Sequence, residues 1–499
     1  IAHTNMSKIR SYTLRAAGAC AALALGLSSC NKFLDIQPKG TLPADVQFST
    51  LKGYEDAMYG VYGTLAGSDL YGKALTFGLA DQLGQMLGQL GQVDREAYNT
   101  LNYVYDDAAV RSRIETTFSQ LYIAISNVNS VLSHAASPSF ENRHLATIRG
   151  EALGVRALLH LEVLRLFARN YSLAQQAGGV TEGIPYSYDY DLKNKQVFTL
   201  QESYQRVLRD LDEAEALLAS DESIQPSSPE QTDFYANRTT HFNKYAVYAI
   251  KARTYRLMRD YTNAARYARL VTEHKADFAL VDRNSYTSRA VTFPATGEMI
   301  FGLWAPRQMQ LVADYLLSQA GSGNIVEGRR AESLQSLYSS SAGGAGATDL
   351  RLGAFYRNES GAMRFIRFLA DASTVNNVEA RYRGIALLRL PEMYYILAEA
   401  LYDSDRSGAY AALNAVRLSR GLDEYSGTEF ASREAFEEEL MKEYMREYAG
   451  EGQVFASLKH YNRPFVSITG DRTFQPSDQI FVLPWPLSER QLGNRIVTR

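Results

Sequence analysis

From about Thr50 onward, apolar residues recur at three- and four-residue steps, a spacing that gathers them on one face of a helix. Phe118, Leu121, Ile125, Val128 and Leu132 mark a helix over 116–132. Ala152, Val155, Leu159, Val163 and Leu166 mark another over 148–167, and Tyr204, Leu208, Leu211 and Leu218 a third over 200–218. Residues 242–271 read as a helix pair broken near Arg259-Asp260-Tyr261, and 387–418 as a second pair broken between Asp403 and Gly408. A last helix spans 435–448, with acidic residues in its first turn that suit the positive end of the helix dipole. Strand-like runs are short: 299–304 and 480–483.

Small residues fall where paired helices would cross. Ala252, between Tyr248 and Tyr255, faces Ala264, Ala268 and Val271, the large-small pattern of tetratricopeptide hairpins. Ala398 and Ala400 with Ala411, Ala412 and Ala415 repeat it less closely. The units are not tandem, so divergent hairpins are expected rather than a regular solenoid. Polar stretches at 170–197, 221–238 and 319–348 are long enough to be functional loops. The expected class is mainly α, with long irregular loops and a few short strands.

The N-terminal thirty residues follow a different logic. Lys8, Arg10 and Arg15 precede a twelve-residue apolar run, 16–27, and then Leu27-Ser28-Ser29-Cys30. The run is too short to span a bilayer but fits a secretory signal starting at Met6. A small residue before the cut and a Cys after it resembles a bacterial lipobox. Residues 1–29 are thus expected to be removed, 30–48 to form a lipidated tether, and Cys30 to carry the acyl chains. A single domain is expected over 49–499, its N-terminal half about 49–225 and its C-terminal half about 290–499.

Composition narrows the chemistry. Lys plus Arg is 52 against 55 for Asp plus Glu, so there is no basic excess to neutralise nucleic-acid phosphates. Cys20 and Cys30 are the only cysteines, which leaves the body without a disulfide, a cysteine zinc site or a thiol nucleophile. No phosphate-binding glycine loop or His-Glu-x-x-His occurs. His160 reads as a packed helix residue, and His460, after Lys459 at a helix end, as a cation suiting the dipole. Carboxylates in 434–447 could be imagined as a glycosidase pair. Their spacing reads as a solvated face instead, with Glu438 and Lys442 paired at i,i+4 and Phe436, Leu440 and Tyr444 turned inward. Asp106, Asp107, Asp189 and Asp191 lack calcium-loop spacing. No catalytic residue, metal or cofactor is expected.

Several segments in order resemble the SusD/RagB family of outer-membrane nutrient-binding lipoproteins. They are Cys30 to Pro38; Phe118 to Asn129, with Phe118 where a Trp is usual; and Gly150-Glu151-Ala152 with Arg156-Ala157. Gly183-Ile184-Pro185 follows, then Arg389-Leu390-Pro391-Glu392-Met393-Tyr394, Ala398-Glu399-Ala400 and Leu413-Asn414-Ala415-Val416-Arg417. Glu443, Arg446-Glu447, Glu451-Gly452, Leu458-Lys459 and Pro484 to Glu489 complete the set. Val454-Phe455-Ala456-Ser457-Leu458 departs from the common Arg-aromatic-aromatic-Asp-Leu. The motif residues read as scaffold, satisfying buried hydrogen bonds.

The resemblance implies a SusD-like domain, an outward-facing lipoprotein, and a SusC-like TonB-dependent transporter as partner. The ligand it implies is an oligosaccharide, with an oligopeptide as the alternative. A secreted helical glycoside hydrolase and a scaffold that binds only protein are the readings from other classes. A sugar ring offers an apolar C–H face and a hydroxyl rim, so its site needs aromatics outside the core stripes beside polar partners. Tyr98, Tyr103 and Tyr105, with Asn99, Asn102 and Asp106, meet that condition. So do Trp304 and Tyr315, flanking Arg307, Gln308 and Gln310; the loop 186–190 is the fallback. The resemblance further implies that the early loop and the segment after 299–304 meet at one face.

Overall fold

The computed structural model describes residues 43–88, 94–140, 142–191, 193–221, 224, 233–287, 296–305, 307–308, 311–312, 328–339, 349–359, 362–368 and 384–492. Cys20, Cys30, Gln310 and Tyr315 lie outside them. The chain separates into two units, 1–49 and Thr50–Arg499. The described part of the first holds the four-residue helix Ala44–Gln47 after Pro43.

The second unit is mainly α-helical. Its long helices are α1 (Leu51–Leu65), α2 (Arg95–Leu101), α3 (Ala108–Ala135), α4 (His144–Phe167), α5 (Leu200–Leu217), α6 (Lys244–Leu257), α7 (Tyr261–Thr272), α8 (Leu390–Leu401), α9 (Arg406–Ser419), α10 (Arg433–Glu447) and α11 (Val454–Tyr461). Local chemistry starts them. Asp94 and Asp107 accept the first free N–H groups of α2 and α3, and Thr199 and Glu202 form a capping box on α5. The expected hairpins are present: α6 packs on α7, α7 on α8 and α8 on α9. Ala252, Ala264, Ala268 and Ala398 are fully buried at these crossings.

The strands are short and antiparallel. They are β1 (Glu182–Pro185) with β2 (Val197–Thr199); β3 (Met299–Leu303) with β7 (Ile385–Arg389); β4 (Gly328–Arg330) and β5 (Tyr356–Glu359) on either side of β6 (Ala362–Phe365); and β8 (Phe465–Val466) with β9 (Thr473–Phe474). Two expectations fail here. Residues 480–483 are not a strand: Asp478–Phe481 is a helical turn, and the Ile480 carbonyl accepts from the Tyr105 hydroxyl at 2.6 Å rather than from a ladder partner. The polar stretch 170–197 is also not all loop. It holds β1 and the helix Tyr171–Ala177, capped by the Asn170 side chain.

The central α4 is buried nearly all round, so its polar residues must be paired. Arg156 grips Asp210 with two bonds of 2.7 and 2.8 Å. Glu151 takes Arg238 and the Tyr62 hydroxyl, the latter at 2.6 Å. His160 stacks on Tyr186 at 3.7 Å and accepts from the Ser187 N–H at 3.0 Å. Burial pushes its imidazole down to about 3. His460 is not the exposed dipole cation that its position suggested. It is buried against Glu399 at 2.8 Å, and burial, with Arg256 nearby, lowers it to about 4, so a neutral ring donates that bond.

Both histidines titrate near 6.5 when unfolded. Their stabilising effect is therefore complete above that pH and is lost as pH falls toward 4 and 3. Asp81, lifted by burial to about 8, works in the opposite sense between about 4 and about 8. The informative quantity is thus a difference. Between pH 7 and pH 5, the unfolding free energy of wild type is expected to fall by about 2 kcal/mol more than that of His160→Gln. Urea melts at the two pH values check it; parallel pH dependences would refute it.

The largest correction concerns α10. Glu438 and Lys442 do form the exposed pair, at 2.8 Å, but Glu437, Glu439, Glu443 and Glu447 are buried. Arg446 spans Glu439 and Glu443 at 2.7 Å each, and Arg351 reaches Glu443 at 2.8 Å and Asp349 at 2.7 Å. Arg389 and Arg420 join Glu447 to Glu298. Arg389, Glu443, Arg446 and Glu447 come from the C-terminal motifs quoted above. The charges are buried because arginines from β7, the C-terminal cap of α9 and the 349–355 segment converge on one helix face. Arginine holds Glu443 and Glu447 well below the usual carboxylate range, so neither is a protonated general acid.

Candidate functional site

β3 is buried along its whole length, and at its end the chain delivers Trp304 to the surface with 53% of its area exposed. The next residue, Ala305, is buried again. Gln308 turns inward, its Nε2 donating to the Gly72 carbonyl at 2.8 Å. Across the ladder stands Gly384, where a Cβ would lie 1.9 Å from the Leu303 oxygen; any side chain would force the strands apart beside Trp304.

Beside this strand end is an opening lined by Thr76, Phe77, Gln308, Phe368, residues 384–386, and Gly450-Glu451. Its volume is about 20 Å³, room for about one water molecule. A large ligand would therefore lie across it. Glu451 is neutralised there by Arg367 and by Arg389 at 2.7 Å. The exposed Trp304 ring thus stands beside a small opening whose carboxylate, Glu451, is compensated.

The second candidate cluster divides. Tyr98 is 47% exposed on α2. Tyr103 adopts φ +60°, in the left-handed region, and its hydroxyl donates to the Leu83 carbonyl at 2.8 Å and accepts from Gln85 at 3.1 Å. Its ring meets Phe474 edge-on at 4.9 Å. Tyr105 lies 6.3 Å from Tyr103 and spends its hydroxyl on Ile480. Tyr103 and Tyr105 are thus brought together, chiefly as anchors of the loop. Among the described residues no aromatic contact joins them to Tyr98 or Trp304. Asn102 accepts from Arg472 at 3.0 Å, Asn99 donates to Asp107 at 2.9 Å, and Asp106 pairs with Arg111. In the fallback loop, Tyr186 is buried on Asp210 and Tyr190 is 59% exposed.

Sequence reasoning did not single out Phe77, Phe368, Gly384 or Asp81. Only Gly384, directly before the four-residue apolar run 385–388, carried a signal. Among the described residues there is no cluster of three or more metal-binding side chains.

Comparison with known proteins decides the lineage. Residues 32–256 match the family model described as "Starch-binding associating with outer membrane", and residues 322–479 match the model described as "SusD family". The chain belongs to the SusD/RagB family. That is a family of nutrient- and carbohydrate-binding proteins associated with the outer membrane. A search of curated proteins gives no match.

Solved structures share the fold. A SusD superfamily protein from Bacteroides thetaiotaomicron is 20% identical with a TM-score of 0.69, over 89% of this chain and 98% of that one. One from Bacteroides fragilis is 21% identical with a TM-score of 0.66, over 89% and 98%. A SusD-like carbohydrate binding protein from Bacteroides vulgatus is 18% identical with a TM-score of 0.66, over 88% and 96%. No helix of the described residues is long and apolar enough to cross a membrane.

Proposed function

We propose that this SusD/RagB protein captures oligosaccharides at the cell surface and passes them to a SusC-like TonB-dependent transporter, while acyl chains on Cys30 hold it to the outer membrane. The observation that carries the reading is Trp304. This indole stands in solvent at the end of a strand that is buried along its whole length, beside an opening walled by Phe77 and Phe368. An indole face covers the C–H face of a sugar. Tyr98 is the second exposed ring assigned to the ligand. Tyr103, Tyr105 and Tyr315 complete the proposed set, the first two as supports.

Calorimetry of the purified chain against panels of oligosaccharides and oligopeptides tests this. An oligosaccharide is expected to bind, and Trp304→Ala to weaken it roughly tenfold or more without altering thermal unfolding. Tyr98→Ala is expected to have a smaller effect, and Tyr103→Phe to act on stability. Undiminished affinity in a folded Trp304→Ala, Tyr98→Ala double variant would move the site, and binding of peptides alone would replace the ligand class.

Anchoring and partnership share a second experiment. Cys30→Ala is expected to move the protein from the membrane to the soluble fraction, because stable anchoring depends on more than one acyl chain. Mild detergent is expected to extract the wild type together with a β-barrel. A membrane-bound Cys30→Ala variant, or repeated extraction without a barrel, would refute the respective part.

A further inference from the structure

Asp81 lies in the short helix Leu79–Leu83, is fully buried, and makes two bonds to a distant turn. Its Oδ1 accepts the Gly452 N–H at 2.9 Å and its Oδ2 accepts the Gly450 N–H. Both glycines have positive φ, +87° at Gly450 and +68° at Gly452, so the turn takes a shape that other residues resist. It is also pressed from two sides. A Cβ on Gly450 would lie 2.6 Å from the Phe368 ring, and one on Gly452 would lie 1.9 Å from the Leu75 oxygen. Phe368, the Thr76-Phe77 segment and Gly450-Glu451 are all walls of the opening beside Trp304.

We propose that Asp81 is a positioning residue that locks the 450–452 turn against these walls and so sets the shape a ligand meets beside Trp304. The chemistry favours an acid at this place. Two N–H groups converge on one side chain, and a carboxyl group offers an oxygen to each. Asparagine would turn its NH2 toward one of them and push that end of the turn away. Burial lifts the Asp81 carboxyl to about 8, against the Gly450 and Gly452 N–H bonds, which favour its charged form. The inference rests on reading this opening as the ligand site, and its test contains a readout that needs no ligand.

The chain has two tryptophans, and Trp485 is buried, so in a Trp485→Phe background fluorescence reports on Trp304 alone. In that background Asp81→Asn is expected to shift the emission maximum and the acrylamide quenching of Trp304 while cooperative unfolding is kept. In the otherwise wild-type chain it is expected to weaken the oligosaccharide found by calorimetry by about tenfold. Asp81→Glu keeps both acceptor oxygens but displaces them by one methylene; a smaller shift in the same readouts is expected, and it carries the test if the Asn variant does not fold. Glu438→Gln, on the exposed face of α10, serves as the control. A folded Asp81 variant with wild-type emission, quenching and affinity would reduce Asp81 to a structural residue and overturn the proposal. If wild type binds no oligosaccharide, the functional reading falls, and the fluorescence of Trp304 still decides the role of Asp81.

Discussion

Glu447→Gln is expected to destabilise the protein by about 3–5 kcal/mol, the cost of leaving buried charge without its partner. Glu447 accepts from Arg389 at 2.9 Å, from Arg420 at 2.7 and 3.0 Å, and from Arg351 at 3.2 Å, with all four side chains out of water. An amide of the same shape removes the charge and turns an NH2 toward guanidinium groups that can only donate. Glu438→Gln on the same helix loses only an exposed pair with Lys442, and a change under about 0.5 kcal/mol is expected there. Urea unfolding of the two variants side by side checks the contrast; equal midpoints would show that the network contributes nothing. The sign with pH follows. A carboxyl held far below its unfolded value stabilises at neutral pH and loses that effect as the solution is acidified below about 4.5. The Glu447→Gln deficit is therefore expected to shrink in acid.

Gly452→Ala is expected to cost about 3 kcal/mol or more. The residue holds φ +68°, where an L side chain costs about 1–2 kcal/mol by itself. The added methyl would also meet the Leu75 carbonyl at 1.9 Å, and a backbone oxygen cannot swing aside as a flexible side chain can. Gly63→Ala is the matched control. It lies in α1, nothing stands within 4 Å of its Cβ position, and its helix propensity improves, so a neutral or stabilising change is expected. Thermal melts of both proteins decide this; a Gly452→Ala loss below about 1 kcal/mol would mean that the turn at 450–452 relaxes freely.

Much of the helical scaffold was legible along the chain because a helix is written in its own neighbours. The run from Leu200 to Leu218 carries its apolar stripe and its Thr199–Glu202 cap locally, and the observed helix ends at Leu217. The break near Arg259 to Tyr261 and the small residues of α6 and α7 likewise placed a hairpin that the structure contains. Residues 480–483 misled because four apolar residues fit a buried strand or a buried turn equally well, and the partner that decides is a tyrosine hydroxyl from residue 105.

The candidate site was legible only as residue types. An aromatic beside polar residues describes Trp304, which stands in solvent, and Tyr103, whose hydroxyl is bound inside, in the same terms. Sequence by itself determined the order of helices, the hairpin breaks, the absence of body cysteines and the motifs that mark the family. Tertiary structure alone decided which carboxylates of α10 are solvated and which are caged by arginine, which tyrosines face outward, and that Asp81 meets a turn some 370 residues away. The physical reason is the range of the forces. Periodicity and capping act within a few residues, whereas burial, ion pairing and donor–acceptor matching depend on what the rest of the chain brings into contact.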